Sequence, residues 1–201
     1  MKFTNQLKTV FVLIIGLAIV AGTALARPAW LDRRPEEKQR QVILEQSSEV
    51  LSKLYQSQPE AKAAVEKAYG YATFSNFGVK IFFAGSGSGR GLAVNNKTQQ
   101  KTFMNMAEVQ AGLGLGVKSF MLVWVFDNEQ VFNSFVSSGW ELGGQASAAA
   151  KAGETGAAYQ GAIQIASGIY VYQLTGSGLA VELTAKGTKY YKDNDLNNNG
   201  N

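Results

Sequence analysis

The chain has 201 residues, with 19 Lys and Arg against 15 Asp and Glu, and it contains neither histidine nor cysteine. Disulfides, thiol nucleophiles, the imidazole base and the common zinc sites are thereby excluded, and no cofactor is expected. A net charge of +4 is too small for bulk attraction of nucleic acid. The 22 glycines and 46% apolar residues instead suit a glycine-punctuated β framework that binds more readily than it reacts.

Residues 1–26 read as a secretory signal peptide. Lys2 and Lys8 make a basic start, Val10–Val20 is almost wholly apolar, and Ala24-Leu25-Ala26 is a small-x-small cleavage site. The apolar core falls short of the ~20 residues of a comfortable span. The expectation is an exported protein, periplasmic or secreted, cleaved near Ala26, with 175 residues and a net charge of +2 remaining.

Residues 27–59 form a basic lead and an amphipathic helix. Arg27, Arg33, Arg34, Lys38 and Arg40 cluster around the helix start, beside Trp30 and Leu31. Pro35 suits a first helical position, and Glu36 and Glu37 lie at the positive end of the helix dipole. Ile43, Ser47, Val50, Leu51, Leu54 and Tyr55 recur at three- and four-residue spacing on one face, with Lys38, Gln41, Glu45, Ser48 and Ser52 opposite. Such a stripe suits either an anionic bilayer surface or the face of a sheet. Pro59 opens a second, shorter helix with a stripe of Ala61, Ala64, Val65 and Ala68, which Gly70 closes.

Strands follow. Ala72–Ser75 reads as a short strand and Val79–Ala84 as another, with the glycines Gly85, Gly87, Gly89 and Gly91 turning the chain into Leu92–Asn95. Asn95-Asn96 signals a further turn, into Lys101–Met106. Phe120–Phe126 is apolar on both faces, which marks a central strand. Asp127 is placed to cap a helix with Gln130 as its capping-box partner; Val131, Phe132, Phe135 and Val136 form the buried stripe, and Gly139 stops it. Leu142–Lys151 alternates with an apolar face made almost wholly of Ala and Gly, suited to a tightly coiled sheet or to a slot for an acyl chain. Ala162–Leu174 reads as one long strand, the Thr175–Gly178 turn leads into Leu179–Ala185, and Thr188–Lys192 ends the sheet. Residues 193–201 read as a disordered polar tail.

The sum is an α+β fold. It has an antiparallel, strongly coiled or partly barrel-like sheet of about seven to nine strands, with two N-terminal helices and one internal helix. The motifs argue against catalysis. Gly85–Gly91 lacks both the dinucleotide fingerprint and the Walker lysine, so a hairpin turn is expected there, with Arg90 available to an anionic head group. Asp193 and Asp195 resemble the opening of a calcium loop, but its later glycine and acid are missing. No enzymatic activity is expected.

AYGYATFSN, FAGSGSGRGLAV, AGLGLGVKSFMLVWVFDNEQVFNSF, WELGGQASAAAKAG and IYVYQLTGSGLAVEL stand in the order found in the SYLF domain family, and the resemblance spans about residues 60–192. It implies phospholipid binding. Eukaryotic members recognise phosphoinositides through an amphipathic helix at the start of the domain, some also bind actin, and bacterial members are typically exported or lipid-anchored envelope proteins. Carried onto this chain, it implies an exported protein that binds anionic phospholipid or a membrane surface, with Arg33, Arg34, Lys38 and Arg40 as the contacts; Arg90 joins them from the glycine segment and not from the resemblance. The alternative is a structural or protein-interaction module of the envelope, with an envelope protein as partner. Two departures stand out: Ser75 replaces a proline common after the first strand, and the lipoprotein cysteine is absent.

Overall fold

The computed structural model describes residues 36–81, 84–111, 116–142, 159–176, 178–180 and 188–198. Helix α1 spans Glu36–Ser57 and α2 Glu60–Lys67. Strands β1 (Gly70–Ile81), β2 (Ala84–Asn95), β3 (Lys101–Ala111) and β4 (Gly116–Phe126) lead to α3 (Glu129–Ser138). Then come β5 (Trp140–Leu142), β6 (Ile163–Ala166), β7 (Ile169–Thr175), β8 (Gly178–Ala180), β9 (Thr188–Lys192) and a terminal turn of helix, α4 (Asn194–Asn197).

The nine strands form one sheet, ordered β5-β9-β3-β2-β1-β4-β7-β6, with β8 also paired to β7. Every pairing is antiparallel. The sheet curls into a half-barrel, as the rings show. Three strands separate β4 from β9, which would set Trp124 and Tyr190 about 19 Å apart in a flat sheet. Their ring centroids are 4.6 Å apart.

Curling divides the apolar residues into two layers. The concave face carries Phe74, Met104, Met106, Leu122, Trp124, Phe126 and Tyr190, closed by Phe132 and Phe135 of α3. On the convex face, Val123, Val125, Tyr172 and Leu174 meet Val50, Leu54, Ala61 and Val65 of α1 and α2. Strand β4 serves both layers, which is why Phe120–Phe126 is apolar throughout. Within the α1 stripe, Ile43, Ser47, Val50 and Leu54 are buried, and Ser47 accepts a 2.8 Å hydrogen bond from the Thr73 hydroxyl. That stripe therefore lies against the sheet.

Several expectations change. The glycine-rich segment is strand, not turn: β2 pairs with β1 from Gly70↔Asn95 to Ile81↔Ala84, so the two short strands expected at 72–75 and 79–84 are one long strand, β1, as far as Ile81. Gly85, Gly87, Gly89 and Gly91 fall on one face of β2, the face of Ala93 in the concave core. At Gly91 the reason for a glycine is Phe74, which packs over it. A Cβ on Gly91 would lie 2.3 Å from the Thr73 carbonyl oxygen and 2.4 Å from Cδ1 of Phe74. Gly70 opens β1 instead of closing α2, whose C-cap is Ala68. Asn128, not Asp127, caps α3: its side chain accepts from the Val131 amide at 3.1 Å. The long strand expected over 162–174 is broken by a hairpin at Ser167-Gly168, where Gly168 has φ +73. Residues 1–35, the Ala/Gly-faced strand after Leu142 and the stretch 181–185 lie outside the described residues.

The expected disordered tail is corrected over 193–198. Asp193 caps α4 by accepting from the Leu196 amide at 3.0 Å, and Leu196 is buried with Ile43, Leu92 and Val94. Asn197 prolongs the ladder of β3 with its side chain, donating to the Phe103 carbonyl at 2.7 Å and accepting from the Phe103 amide at 2.9 Å. One apolar residue and two capping groups order a segment whose composition is otherwise that of a tail.

The convex layer is rich in tyrosine, and burial raises their hydroxyl pKa values. Tyr172 is pushed up to about 12 by burial. Tyr55 is pushed up to about 12 by burial, with the negative charges of ionised Tyr71 and of Glu66 adding to it. An unfolded tyrosine ionises near pH 10. Above that pH the unfolded chain releases protons that the folded chain retains, so stability is intact below pH ~10 and falls as pH rises towards 12. Urea midpoints measured from about pH 9 upward should show this decline. The Tyr172 hydroxyl is buried without a hydrogen-bond partner. Tyr172→Phe should thus be near neutral or slightly stabilising at pH 7 and should flatten the alkaline decline. A large loss at pH 7 would contradict the assignment.

Candidate functional site

Helix α1 packs over β1, β2 and β4 on the convex face, and along its flank opens a groove of about 550 Å3. Val42, Ile43 and Gln46 form the helical wall; Ser75, Ser88, Arg90, Asn105 and Tyr191 rise from the sheet. Strand alternation places them there. Because Gly91 and Ala93 point into the concave core, Arg90 points outwards. The register then aligns four polar side chains in one row across four strands: Ser75 faces Arg90, Arg90 faces Asn105, and Asn105 faces Tyr191.

The electrostatics of the groove are one-sided. Among the described residues, Arg90 is the charged one that lines it, and no Asp or Glu does. Its guanidinium is exposed and donates to Gln39 Oε1 at 2.7 Å, which holds one edge of the fork on α1. Arginine carries five donors in a planar fork, so others remain to receive an anion's oxygens. Val42 and Tyr191, 36% and 40% exposed, are the large hydrophobics exposed among the described residues, and both line this groove. A cation, hydroxyls and amides on the floor with apolar side chains at the rim suit the polar end of an amphiphile.

The other candidate contacts fall elsewhere. Arg33 and Arg34 lie outside the described residues, and Lys38 is an exposed residue of the first turns of α1. Arg40 is drawn into structural work. Its side chain is 20% exposed, pairs with Glu36 at 3.4 Å and Glu37 at 3.5 Å, and donates through Nε to the Leu196 carbonyl at 2.9 Å, satisfying the end of α4. Of the three that are described, Lys38, Arg40 and Arg90, only Arg90 lines the groove. Val42, Gln46, Asn105 and Tyr191 carried no local signal. Only the outward parity of Arg90 hinted at its company, once β2 is recognised as a strand.

Elsewhere the polar clusters have internal explanations. Asp127 accepts the Tyr159 hydroxyl, whose ring stacks on Tyr170 at 3.8 Å; burial and that bond raise the Tyr159 pKa. No group of three or more ligating side chains that could hold a metal occurs among the described residues. Nor, among them, is any helix long and apolar enough to cross a membrane.

Comparison with known proteins decides the family. Residues 107–199, from the second half of β3 to α4, match the family model Ysc84, described as "Las17-binding protein actin regulator". Over these residues the chain matches the SYLF (Ysc84) family. It is also similar to Beta cell expansion factor A of Aeromonas veronii, 32% identical over 168 residues that cover 83% of this chain and 62% of the relative. The chain thus spans about 62% of the length of that curated relative. The SYLF match takes in Ala107 and Tyr191, which line one side of the groove, whereas α1 and Arg90 lie before it.

Proposed function

We propose that this protein binds anionic phospholipid at a membrane surface without transforming it, as an exported protein released from its signal peptide near Ala26. The observation that carries this reading is the Ser75–Arg90–Asn105–Tyr191 row. It puts the Arg90 cation and several donors on the floor of a groove whose rim holds Val42 and Tyr191, with no acid among the described lining residues. A phosphate oxygen is received by the Arg90 fork, and the rim side chains meet the interfacial zone of the bilayer, where aromatic rings with a polar tip sit well. Lys38 and the basic lead, Arg33 and Arg34, add long-range attraction of about 1 kcal/mol per charge near an anionic surface. Arg40 is left to the C-terminal turn. The buried stripe of α1 plays no part while the helix stays on the sheet.

Vesicle sedimentation tests the reading. Anionic vesicles should pellet the full chain at low salt, and rising salt should weaken this, because exposed charges are screened over ~10 Å at 0.1 M. Arg90→Glu should weaken pelleting roughly tenfold or more, and Tyr191→Ser several-fold without altering the salt dependence. Equal pelleting by wild type and both variants would sink the groove as the contact. The family description favours a second reading, a module that binds a protein partner. That reading takes over if vesicles of every charge are ignored.

A further inference from the structure

A second cavity lies where the C-terminal end of α1 passes the rim of β4 and the β7–β8 turn. Its volume is about 460 Å3, within the ~300–1,000 Å3 usual for small-molecule sites. Phe120, Met121 and Leu174 form apolar walls, and Lys53, with Gln56 and Ser57, stands at the helical side. Phe120 and Leu174 are buried at 3% and 4% exposure, so the walls belong to the two cores and not to mobile surface. Among the described residues that line the cavity there is no acid.

The glycines of the turn leave this space open. Both Gly176 and Gly178 line the cavity, and a Cβ on either would meet nothing within 4 Å. Gly178 needs its glycine for φ +108, but Gly176 does not have such a backbone. At Gly91 a glycine is explained by a crowding ring; at Gly176 nothing crowds the position, and the space above the turn is open to a larger side chain.

From this geometry we infer a second binding site, for a hydrocarbon chain bearing an anionic head. The chain lies against Phe120, Met121 and Leu174, and the head meets Lys53. The Lys53 ammonium sits 2.6 Å from Glu49 Oε1 on the preceding turn. One of its three donors is so engaged, and the others remain for the head. The site is separate from the Arg90 groove and does not rest on the membrane reading.

Calorimetry with monomeric decanoate on the full chain tests it, with anionic phosphatidylglycerol vesicles as a second arm. Decanoate should bind one per chain, about fourfold more tightly for each methylene added from hexanoate upward. Gly176→Phe, which places a ring in the cavity without a backbone conflict, should abolish this, and Lys53→Gln should weaken it several-fold. If Gly176→Phe removes decanoate binding, the site takes a free single-chain anion; if it impairs vesicle binding alone, the site takes a chain from the bilayer. Binding of both probes unchanged in a folded Gly176→Phe overturns the inference. Should that variant fail to fold, a flat chain-length series with Lys53→Gln equal to wild type overturns it just as well. Arg90→Glu serves as the separating control: it should lower vesicle binding and leave decanoate binding intact.

Discussion

Gly91→Val is expected to lower the stability of the domain by about 3 kcal/mol or more, a large share of the ~5–15 kcal/mol that holds a typical domain folded. The cause is geometric. The Cβ position at Gly91 is 2.3 Å from the Thr73 carbonyl oxygen, a backbone atom of the neighbouring strand that cannot rotate aside. It is also 2.4 Å from the ring of Phe74, which is 1% exposed and packs edge-on against Tyr190 at 4.8 Å. Relief would require β1 and β2 to part or Phe74 to leave the core, and either opens the curl. Gly91→Ala should cost less than valine but remain clearly destabilising. Gly176→Ala is the matched control, since its Cβ meets nothing within 4 Å; it should be neutral or stabilising by up to ~1 kcal/mol through the unfolded chain. Urea denaturation of the three variants reads the contrast. Equal stability of Gly91→Val and wild type would show that the sheet is not curled as described.

Trp124→Ala should cost about 3–5 kcal/mol, the usual range for emptying a large buried aromatic site. Trp124 is fully buried and stands at the centre of the concave layer, 5.1 Å from the Phe135 ring and 4.6 Å from that of Tyr190. It joins α3, β4 and β9, so its removal should also loosen α3. The indole Nε1–H has no hydrogen-bond partner among the described residues. Trp124→Phe therefore discards an unsatisfied donor along with some contact, and should cost well under half as much as alanine. Thermal unfolding of the two variants separates them. A Phe variant as unstable as the Ala variant would mean that the indole N–H has an acceptor.

The local sequence was legible wherever one neighbour relation dominates. Periodicity located α1 and its buried stripe, because a helix that lies on a sheet shows one apolar face in every turn. The double-sided run at Phe120–Phe126 announced a strand covered on both faces. The Asn95 turn follows from its side chain, which accepts from the Lys97 and Thr98 amides at 2.9 and 3.1 Å. Gly85–Gly91 misled for the opposite reason. Alternate glycine is a turn signal by local propensity, but here it is one face of a strand, and at Gly91 it is kept small by Phe74, a side chain of the neighbouring strand. α4 was missed because one leucine, Leu196, carries its burial.

The candidate site divides along the same line. Arg90 could be picked out from the chain alone, as a cation beside glycines, while Arg40 was picked out equally and turned out to hold Leu196. Composition settles the absence of thiol and imidazole chemistry, and alternation settles which way each strand residue points, since both depend on residues within a few positions of one another. The row Ser75–Arg90–Asn105–Tyr191 could not be read in advance: its members lie on β1, β2, β3 and β9, and long-range pairing alone brings them abreast. The curl that carries Tyr190 to Trp124 likewise arises from packing between distant strands, a property of the assembled sheet that no short window of residues contains.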